Sequence, residues 1–182
     1  MEDRERLRQL IKRRALKVAE EPVFKLSSGK LSRFYVDLKR VSFDPEGAYL
    51  LGKVLYHSIK DLKPEGVGGL TLGADPIAYS VSLVSLLEDN PIKPFVVRKE
   101  PKSHGTGRQV EGLLRQGDRV VVLEDVITTG SSALRAVEAC RREGYEVLCV
   151  YAVVDREEGA RERFKEHGLE VYSLFKVSEL QL

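Results

Sequence analysis

Short apolar runs alternate with helical patterns from Val67 to the end of this 182-residue chain. Runs rich in β-branched residues predict strands over Val67 to Thr71, Phe95 to Arg98, Val120 to Glu124, Val147 to Val154 and Leu169 to Leu174. Helical spacing of apolar residues predicts helices over Pro76 to Leu87, Ser131 to Glu143 and Glu157 to Glu166. The strands are apolar on both faces, which is typical of a parallel sheet covered by helices. We therefore predict an α/β fold with a central, mostly parallel sheet flanked by helices.

The N-terminal part of the chain has a different pattern. Apolar residues at helical spacing predict an amphipathic helix from about Asp3 to Ala19. The segment from Phe24 to Arg40 predicts a hairpin or paired strands, because it contains a Ser-Ser-Gly turn sequence. Asp44-Pro45 predicts the start of a helix that continues to about Leu62. We predict one domain over residues 1–182, with residues 1–40 as a small N-terminal subdomain.

The composition limits the class of protein. Of the residues, 42% are hydrophobic and 32% charged, and 30 Lys+Arg against 28 Asp+Glu give a net charge of +2. These values exclude a disordered chain and a strongly basic nucleic-acid coat. No apolar stretch approaches the roughly 20 residues of a membrane helix. The N-terminus lacks the apolar block of a secretory signal, so we expect a cytoplasmic protein with no nucleic-acid or membrane partner.

Cys140 and Cys149 are expected to be reduced and buried.

The segment from Arg119 to Leu134 carries the strongest chemical signal. A predicted strand ends in Glu124 and Asp125, and Thr, Gly and Ser residues then lead into a helix. Backbone N–H groups of such a loop bind phosphate, and Gly130 allows a tight turn close to the ligand. The two carboxylates can accept hydrogen bonds from sugar hydroxyls, hold a divalent metal indirectly, or favour positive charge on a ribose ring.

A second candidate segment, from Arg98 to Arg108, is basic and contains two glycines. It holds four Lys or Arg residues together with Glu100 and His104. Such a loop suits a polyanion such as pyrophosphate, although a charge run by itself is more often a solvated surface.

Three segments in order resemble a known family. Val121 to Ser132 resembles the phosphoribosyl pyrophosphate (PRPP) motif of type I phosphoribosyltransferases. Phe24 to Asp37 and Arg98 to Gly112 resemble the orotate-site entry segment and the flexible catalytic loop of orotate phosphoribosyltransferases. Gly73-Ala-Asp-Pro-Ile and Asp155-Arg156 occur in the expected order, so the resemblance covers most of the chain.

The resemblance implies a type I phosphoribosyltransferase fold with an N-terminal hood over the base site, and a reaction of PRPP with orotate that yields orotidine 5′-monophosphate and pyrophosphate. It implies catalytic roles for Lys102, Glu124 and Asp125. It implies PRPP contacts by Arg98, Lys99, Lys102, His104, Glu124, Asp125, Val126, Ile127, Thr128, Thr129, Gly130, Ser131 and Ser132. For orotate the matching residues are Thr128 and Arg156, and the aromatic rings of Phe34 and Tyr35 could line the pocket or belong to the core.

Mg²⁺, held mainly through PRPP and water rather than directly by protein ligands, is a further implication of the resemblance. So is a homodimer in which the 98–108 loop reaches the neighbouring subunit's site.

Two positions depart from some family members, and other functions stay open. Ser27 stands where some members have Lys, and Leu72-Gly73 stands where some have Tyr-Lys. Lys25, Lys30 or Arg33 could supply the missing contacts. One alternative function is a PRPP-sensing regulator that binds nucleic acid, for which a chain of 182 residues at net charge +2 leaves little room. Another is a purine or uracil phosphoribosyltransferase with the same phosphate site and a different base site.

Overall fold

The computed structural model describes residues 2–26, 29–102 and 107–181. Its N-terminal elements are α1 (Glu2–Arg14), β1 (Leu16–Val18), β2 (Phe24–Lys25), β3 (Leu31–Ser32), β4 (Phe34–Val36), α2 (Lys39–Ser42) and α3 (Pro45–Ile59). The remaining elements are β5 (Gly66–Leu70), α4 (Asp75–Leu87), β6 (Lys93–Val97), β7 (Val110–Gly112), β8 (Arg119–Ile127), α5 (Ser131–Arg142), β9 (Glu146–Asp155), α6 (Ala160–Glu166), β10 (Val171–Lys176) and α7 (Val177–Leu180).

The predicted mostly parallel sheet is confirmed. Six strands lie in the order β10-β9-β8-β5-β6-β7, and all neighbours are parallel except the edge strand β7, which runs antiparallel to β6. The predicted strands correspond to β5, β6, β8, β9 and β10. The sequence does not predict β7, because it is three residues long and contains a charged residue and a glycine.

Helices cover both faces of the sheet, and the alternation of side chains along β8 shows this directly. Val121 and Leu123 pack into a core formed with α1, α3 and α4. Val120 and Val122 point to the opposite face and pack into a second core formed with α5 and α6. Each face of the strand is therefore buried, as the two-sided apolar pattern predicts.

Strand β8 is longer than predicted, and this changes the position of the acidic pair. The sequence places its end at Glu124, but the ladder to β9 continues through Val126, paired with Val154, to Ile127, paired with Asp155. Glu124 and Asp125 therefore lie within the strand rather than at its end.

The predicted first helix is too long. Helix α1 ends at Arg14, and Leu16–Val18 instead forms β1, which pairs antiparallel with β4. The apolar spacing of these residues continues the helical pattern, but their backbone groups are satisfied by a strand distant in sequence. In the segment from Phe24 to Arg40, the predicted pairing is confirmed for β2 with β3, whereas the residues from Lys39 onwards are helical.

The predicted cap of α3 is confirmed, as is the burial of both cysteines. The Asp44 carboxylate accepts a hydrogen bond of 2.9 Å from the Gly47 N–H, and Pro45 is the first helical residue. Cys140 and Cys149 are buried and unpaired, and burial raises the pKa of each thiol to about 12. In the part of the chain that the structure describes, no helix is long and apolar enough to cross a membrane.

Candidate active site

The sheet topology indicates where a ligand binds. From β5 the chain continues to β6 on one side, whereas β8, β9 and β10 follow on the other side. In open α/β sheets, ligands bind outside the carboxyl ends of the strands where the strand order reverses in this way. For this chain that position is between β5 and β8.

The loop after β8 forms a cradle at this position. A cavity of about 140 Å³ is lined by Glu124, Val126, Ile127, Thr128, Thr129, Gly130, Ser131 and Ser132. Gly130 has a φ of +86°, and a Cβ atom there would lie 2.8 Å from the Phe164 ring. Glycine is therefore required both by the turn and by the close approach of α6. The structure brings the predicted phosphate-binding residues together in one concave surface at the start of α5.

The acidic pair beside the cradle has two unlike members. Glu124 is only 7% exposed, and burial raises the pKa of its carboxyl well above the usual value. The negative charge of Asp125 and a hydrogen bond with it raise this pKa further. The Asp125 carboxylate in turn accepts a hydrogen bond of 2.8 Å from the Val126 N–H. Glu124 therefore tends to hold a proton beside an Asp125 that can accept a hydrogen bond from it.

Two further residues, Lys39 and Gly73, lie next to Asp125, and the sequence predicts a role in the site for neither. Lys39 Nζ lies 4.0 Å from Asp125 Oδ2 and 3.4 Å from Asp37 Oδ1, so a cation faces the acidic pair. A Cβ atom on Gly73 would lie 2.6 Å from the Asp125 carboxyl. Gly73 thus lets the loop between β5 and α4 approach β8 closely. Lys39 follows the Phe24 to Asp37 segment by two residues, and this position alone is a weak indication of a role in the site.

The predicted loop cations lie at the end of β6, outside the cradle. Arg98 and Lys99 line a separate cavity of about 480 Å³ together with Thr71, Val96, Glu100, Pro101 and Glu111. Lys102 Nζ is 2.8 Å from Glu111 Oε1, and this pairing lowers the pKa of the Glu111 carboxyl. The Lys99 carbonyl accepts a hydrogen bond of 2.6 Å from Arg135 of α5. His104, the remaining predicted contact of this loop, lies outside the described residues.

Arg156 is a buried, positioned side chain. Because Ile127 pairs with Asp155, Thr128 and Arg156 follow the ends of adjacent strands, and the Arg156 N–H donates to the Ile127 carbonyl at 2.9 Å. The guanidinium is held by Ser32 Oγ at 3.1 Å, the Phe34 carbonyl at 3.2 Å and Glu158 Oε1 at 3.1 Å. The residue is 8% exposed. It therefore links the N-terminal segment to the edge of the sheet that bears the cradle.

Phe34 and Tyr35 belong to β4, whose Phe34 carbonyl contacts Arg156. Their side chains have different surroundings. Phe34 is half-buried and packs against the core. Tyr35 is partly exposed and stacks on Phe24, with ring centroids 5.8 Å apart and planes at 27°. Successive side chains of a strand point to opposite sides, so the two rings do not share one surface.

The acidic pair offers oxygen donors to a metal ion. Among residues 2–26, 29–102 and 107–181, no group of three or more His, Cys, Asp or Glu side chains is arranged to hold a metal ion. Glu124 and Asp125 offer carboxylate oxygens, which suit Mg²⁺ when substrate and water supply its other ligands.

Comparison with known proteins identifies the family. No protein-family model matches the chain. It is 67% identical over 180 residues to the orotate phosphoribosyltransferase of Aquifex aeolicus, an alignment that covers 99% of this chain and 98% of that protein. The Mycobacterium tuberculosis orotate phosphoribosyltransferase in complex with Fe(III) dicitrate superimposes with a TM-score of 0.85 at 40% identity, covering 99% of each chain. The structure of the same enzyme in complex with PRPP gives a TM-score of 0.80 at 39% identity, also over 99% of each chain. The chain therefore belongs to the orotate phosphoribosyltransferase family.

Proposed function

We propose that this chain transfers the 5-phosphoribosyl group of PRPP to orotate. A bond forms between C1′ of the ribose and a ring nitrogen of orotate, and the bond from C1′ to the pyrophosphate oxygen breaks. The observation that carries the proposal is the placement of Thr128 and Arg156 at the ends of adjacent strands, joined by the hydrogen bond from the Arg156 N–H to Ile127. The cradle and the Arg156 guanidinium thereby lie at one edge of the sheet, where a phosphate and a planar carboxylate are proposed to bind.

The cradle is proposed to bind the 5′-phosphate of PRPP. Backbone N–H groups from Thr128 to Ser132 and the hydroxyls of the loop are suitable donors for phosphate oxygens, Val126 and Ile127 line the cavity beside them, and the start of α5 adds a favourable dipole. Next to the cradle, Glu124 and Asp125 are placed to accept hydrogen bonds from the ribose hydroxyls. The negative charge of Asp125, beside a Glu124 that tends to hold a proton, would favour the positive charge that develops on the ribose ring as pyrophosphate leaves.

The loop cations are proposed to bind pyrophosphate. Arg98, Lys99, Lys102 and His104 supply donors and positive charge that stabilise the departing group. Closure of the loop over the site would exclude water, which could otherwise react at C1′ in place of orotate. Lys102 is proposed as the catalytic member of this group.

The acidic pair also suits Mg²⁺ brought in with PRPP. When bound, Mg²⁺ would supply positive charge beside the phosphate groups of PRPP. Glu124 and Asp125 are proposed to hold it through water or through the ribose hydroxyls. Two adjacent carboxylates suit such indirect binding, because Mg²⁺ keeps several waters and phosphate oxygens as ligands.

Orotate is proposed to bind between Thr128 and Arg156, with residues 1–40 as the hood of the base site. The contacts of Arg156 with Ser32 and Phe34 support this placement, because they bring the N-terminal segment to the edge of the cradle. One aromatic side chain of β4, Phe34 or Tyr35, is proposed to bound the ring, since the two point to opposite sides of the strand. The whole chain then acts as one domain.

A homodimer is part of the proposal. Tyr79, Leu83, Leu86 and Leu87 are exposed on α4 and recur at helical spacing, which gives an apolar surface that a second copy could cover. Helix α4 packs against β6, the strand that leads into the 98–108 loop. A partner seated on α4 would therefore lie near the loop proposed to reach its site. The cytoplasm is the proposed compartment, because two unpaired thiols stay reduced there.

The proposal is tested by incubating the protein with PRPP, Mg²⁺ and orotate and identifying the product by mass spectrometry. We expect orotidine 5′-monophosphate and one equivalent of pyrophosphate. Binding of PRPP without any product, together with binding of a DNA duplex, would instead support the regulator.

A further inference from the structure

Arg163 of α6 reaches the phosphate cradle, although nothing in its sequence context suggests a role there. Its Nη1 atom donates a hydrogen bond of 2.7 Å to Ser131 Oγ. The adjacent residue, Phe164, is fully buried and closely approached by Gly130. Packing of Phe164 beneath the cradle thus fixes the helix from which Arg163 extends.

The guanidinium of Arg163 is not balanced by an acid. In the described part of the chain, no carboxylate oxygen lies within 4.0 Å of its nitrogens. Arg161, two residues earlier on the same helix, shows the contrast, because its Nε atom pairs with Asp155 at 2.9 Å. The positive charge of Arg163 is therefore free to act on an anion in the cradle.

The hydrogen bond fixes the direction in which Ser131 donates. Arginine has donors and no acceptor, so Ser131 Oγ must accept from Arg163. Its hydroxyl proton is then directed elsewhere, towards Thr129 Oγ1 at 3.1 Å or towards a ligand oxygen. An arginine that holds Ser131 in this state orders a hydroxyl donor for phosphate before the ligand arrives.

The described residues that line the cradle include no cation. None of the residues that line the cavity is basic, and Glu124 is among them. A phosphate monoester carries close to two negative charges at neutral pH. A nearby guanidinium would attract the phosphate and so compensate for its repulsion by the acidic pair.

We infer that Arg163 is a positioning residue for the 5′-phosphate of PRPP, acting through Ser131 and through its own unbalanced charge. The inference rests on the proposed function, in which the cradle binds that phosphate. It adds a side chain from α6 to a site otherwise built by the loop after β8.

The first experiment measures steady-state kinetics of Arg163→Gln. We expect the KM for PRPP to rise about fivefold, the effect of one partly exposed charge-assisted hydrogen bond, with kcat and the KM for orotate changed less than about twofold. Arg163→Lys should restore part of the loss. Arg141→Gln is the matched control, because Arg141 lies on α5, donates to the His167 carbonyl and carries the same charge. An unchanged KM for PRPP in Arg163→Gln, or an equal rise in Arg141→Gln, would overturn the inference.

A double-mutant cycle tests the route through Ser131. If Arg163 acts through that hydroxyl, adding Arg163→Gln to Ser131→Ala should raise the KM for PRPP by much less than the fivefold seen alone. Full additivity of the two effects would overturn this part of the inference.

Calorimetric binding of ribose 5-phosphate separates this inference from the proposed function. We expect its Kd to rise about fivefold in Arg163→Gln and to stay unchanged in Arg141→Gln. If the wild-type protein forms orotidine 5′-monophosphate but Arg163→Gln binds ribose 5-phosphate normally, the inference fails and the function stands. If no product forms but the Kd depends on Arg163, the proposed function fails and the phosphate role of Arg163 stands.

Discussion

Lys102 Nζ lies 2.8 Å from Glu111 Oε1, so the lysine proposed to act on pyrophosphate is paired with a carboxylate of the protein. Arg98 Nη1 lies 3.7 Å from the same oxygen. Glu111 belongs to the edge strand β7, which follows the 98–108 loop and pairs with the strand that precedes it. The carboxylate therefore pairs with Lys102 and lies near Arg98 at the base of the loop, and pyrophosphate must compete with it for Lys102.

Glu111→Gln removes this competition. We expect the KM for PRPP to fall by about two- to fivefold, the small change typical of an exposed ion pair, and the melting temperature to stay within about 2 °C of wild type. Initial rates at varied PRPP and a thermal melt check both. Glu46→Gln, which breaks a surface pair of 2.9 Å with Arg6, is the control. A higher KM for PRPP would contradict competition between Glu111 and pyrophosphate.

Lys102→Ala tests the catalytic role of the loop. Because the lysine is proposed to stabilise charge on the leaving group, we expect kcat to fall about 10²- to 10³-fold while the melting temperature is kept. Lys60→Ala removes a lysine near the start of β6 and β8, at the opposite edge of the sheet, and should leave kcat unchanged. A wild-type kcat in Lys102→Ala would refute the role of this residue.

Arg156→Ala tests the base site. Loss of the donor fork should raise the KM for orotate about tenfold or more, and the KM for PRPP by less than about threefold. Ser32→Ala keeps the guanidinium and removes one of the groups that hold it, so its effect on the orotate KM should be smaller. Equal increases in the two KM values for Arg156→Ala would place the arginine outside the base site.

Glu124→Gln tests the protonation of the acidic pair through stability. Burial raises the pKa of Glu124 above the usual 4.5, so between the two pKa values the folded state holds a proton that the unfolded state has lost. The wild-type protein must then lose stability as pH rises through this window, and the glutamine variant must not.

We expect the melting temperature of Glu124→Gln relative to wild type to increase from pH 5 to pH 8 by about 3 °C or more, since one unit of pKa shift is about 1.4 kcal/mol. Glu170→Gln, at an exposed position, serves as control and should show no such trend. A difference that stays constant or decreases with pH would mean that Glu124 is charged in the folded protein.

The elements that the sequence predicts well are those whose signal is local. The two-sided apolar run of β8 and the Thr, Gly and Ser residues after it predict a buried parallel strand followed by a concave loop, and both are present. Binding of phosphate in that loop stays a prediction. Asp44-Pro45 likewise predicts the cap of α3. Each depends on neighbours within a few residues.

The features that the sequence does not predict depend on distant partners. Leu16–Val18 continues a helical pattern and becomes a strand because β4 pairs with it. The contacts of Lys39 with Asp125 and of Arg163 with Ser131 each join residues far apart in the chain. Side chains of this kind carry no local pattern, because any charged surface residue has the same appearance in a sequence.

The central claim is the identity of the acceptor, and the most direct measurement is pyrophosphate release from PRPP and Mg²⁺ with orotate, uracil, adenine, guanine or hypoxanthine as the second substrate. We predict rapid release with orotate, and release with the other bases no faster than without any base, because orotate alone among them carries a carboxylate that the positively charged Arg156 guanidinium, held in place by Glu158 and Ser32, can attract. Release with another base, and none with orotate, would contradict the account.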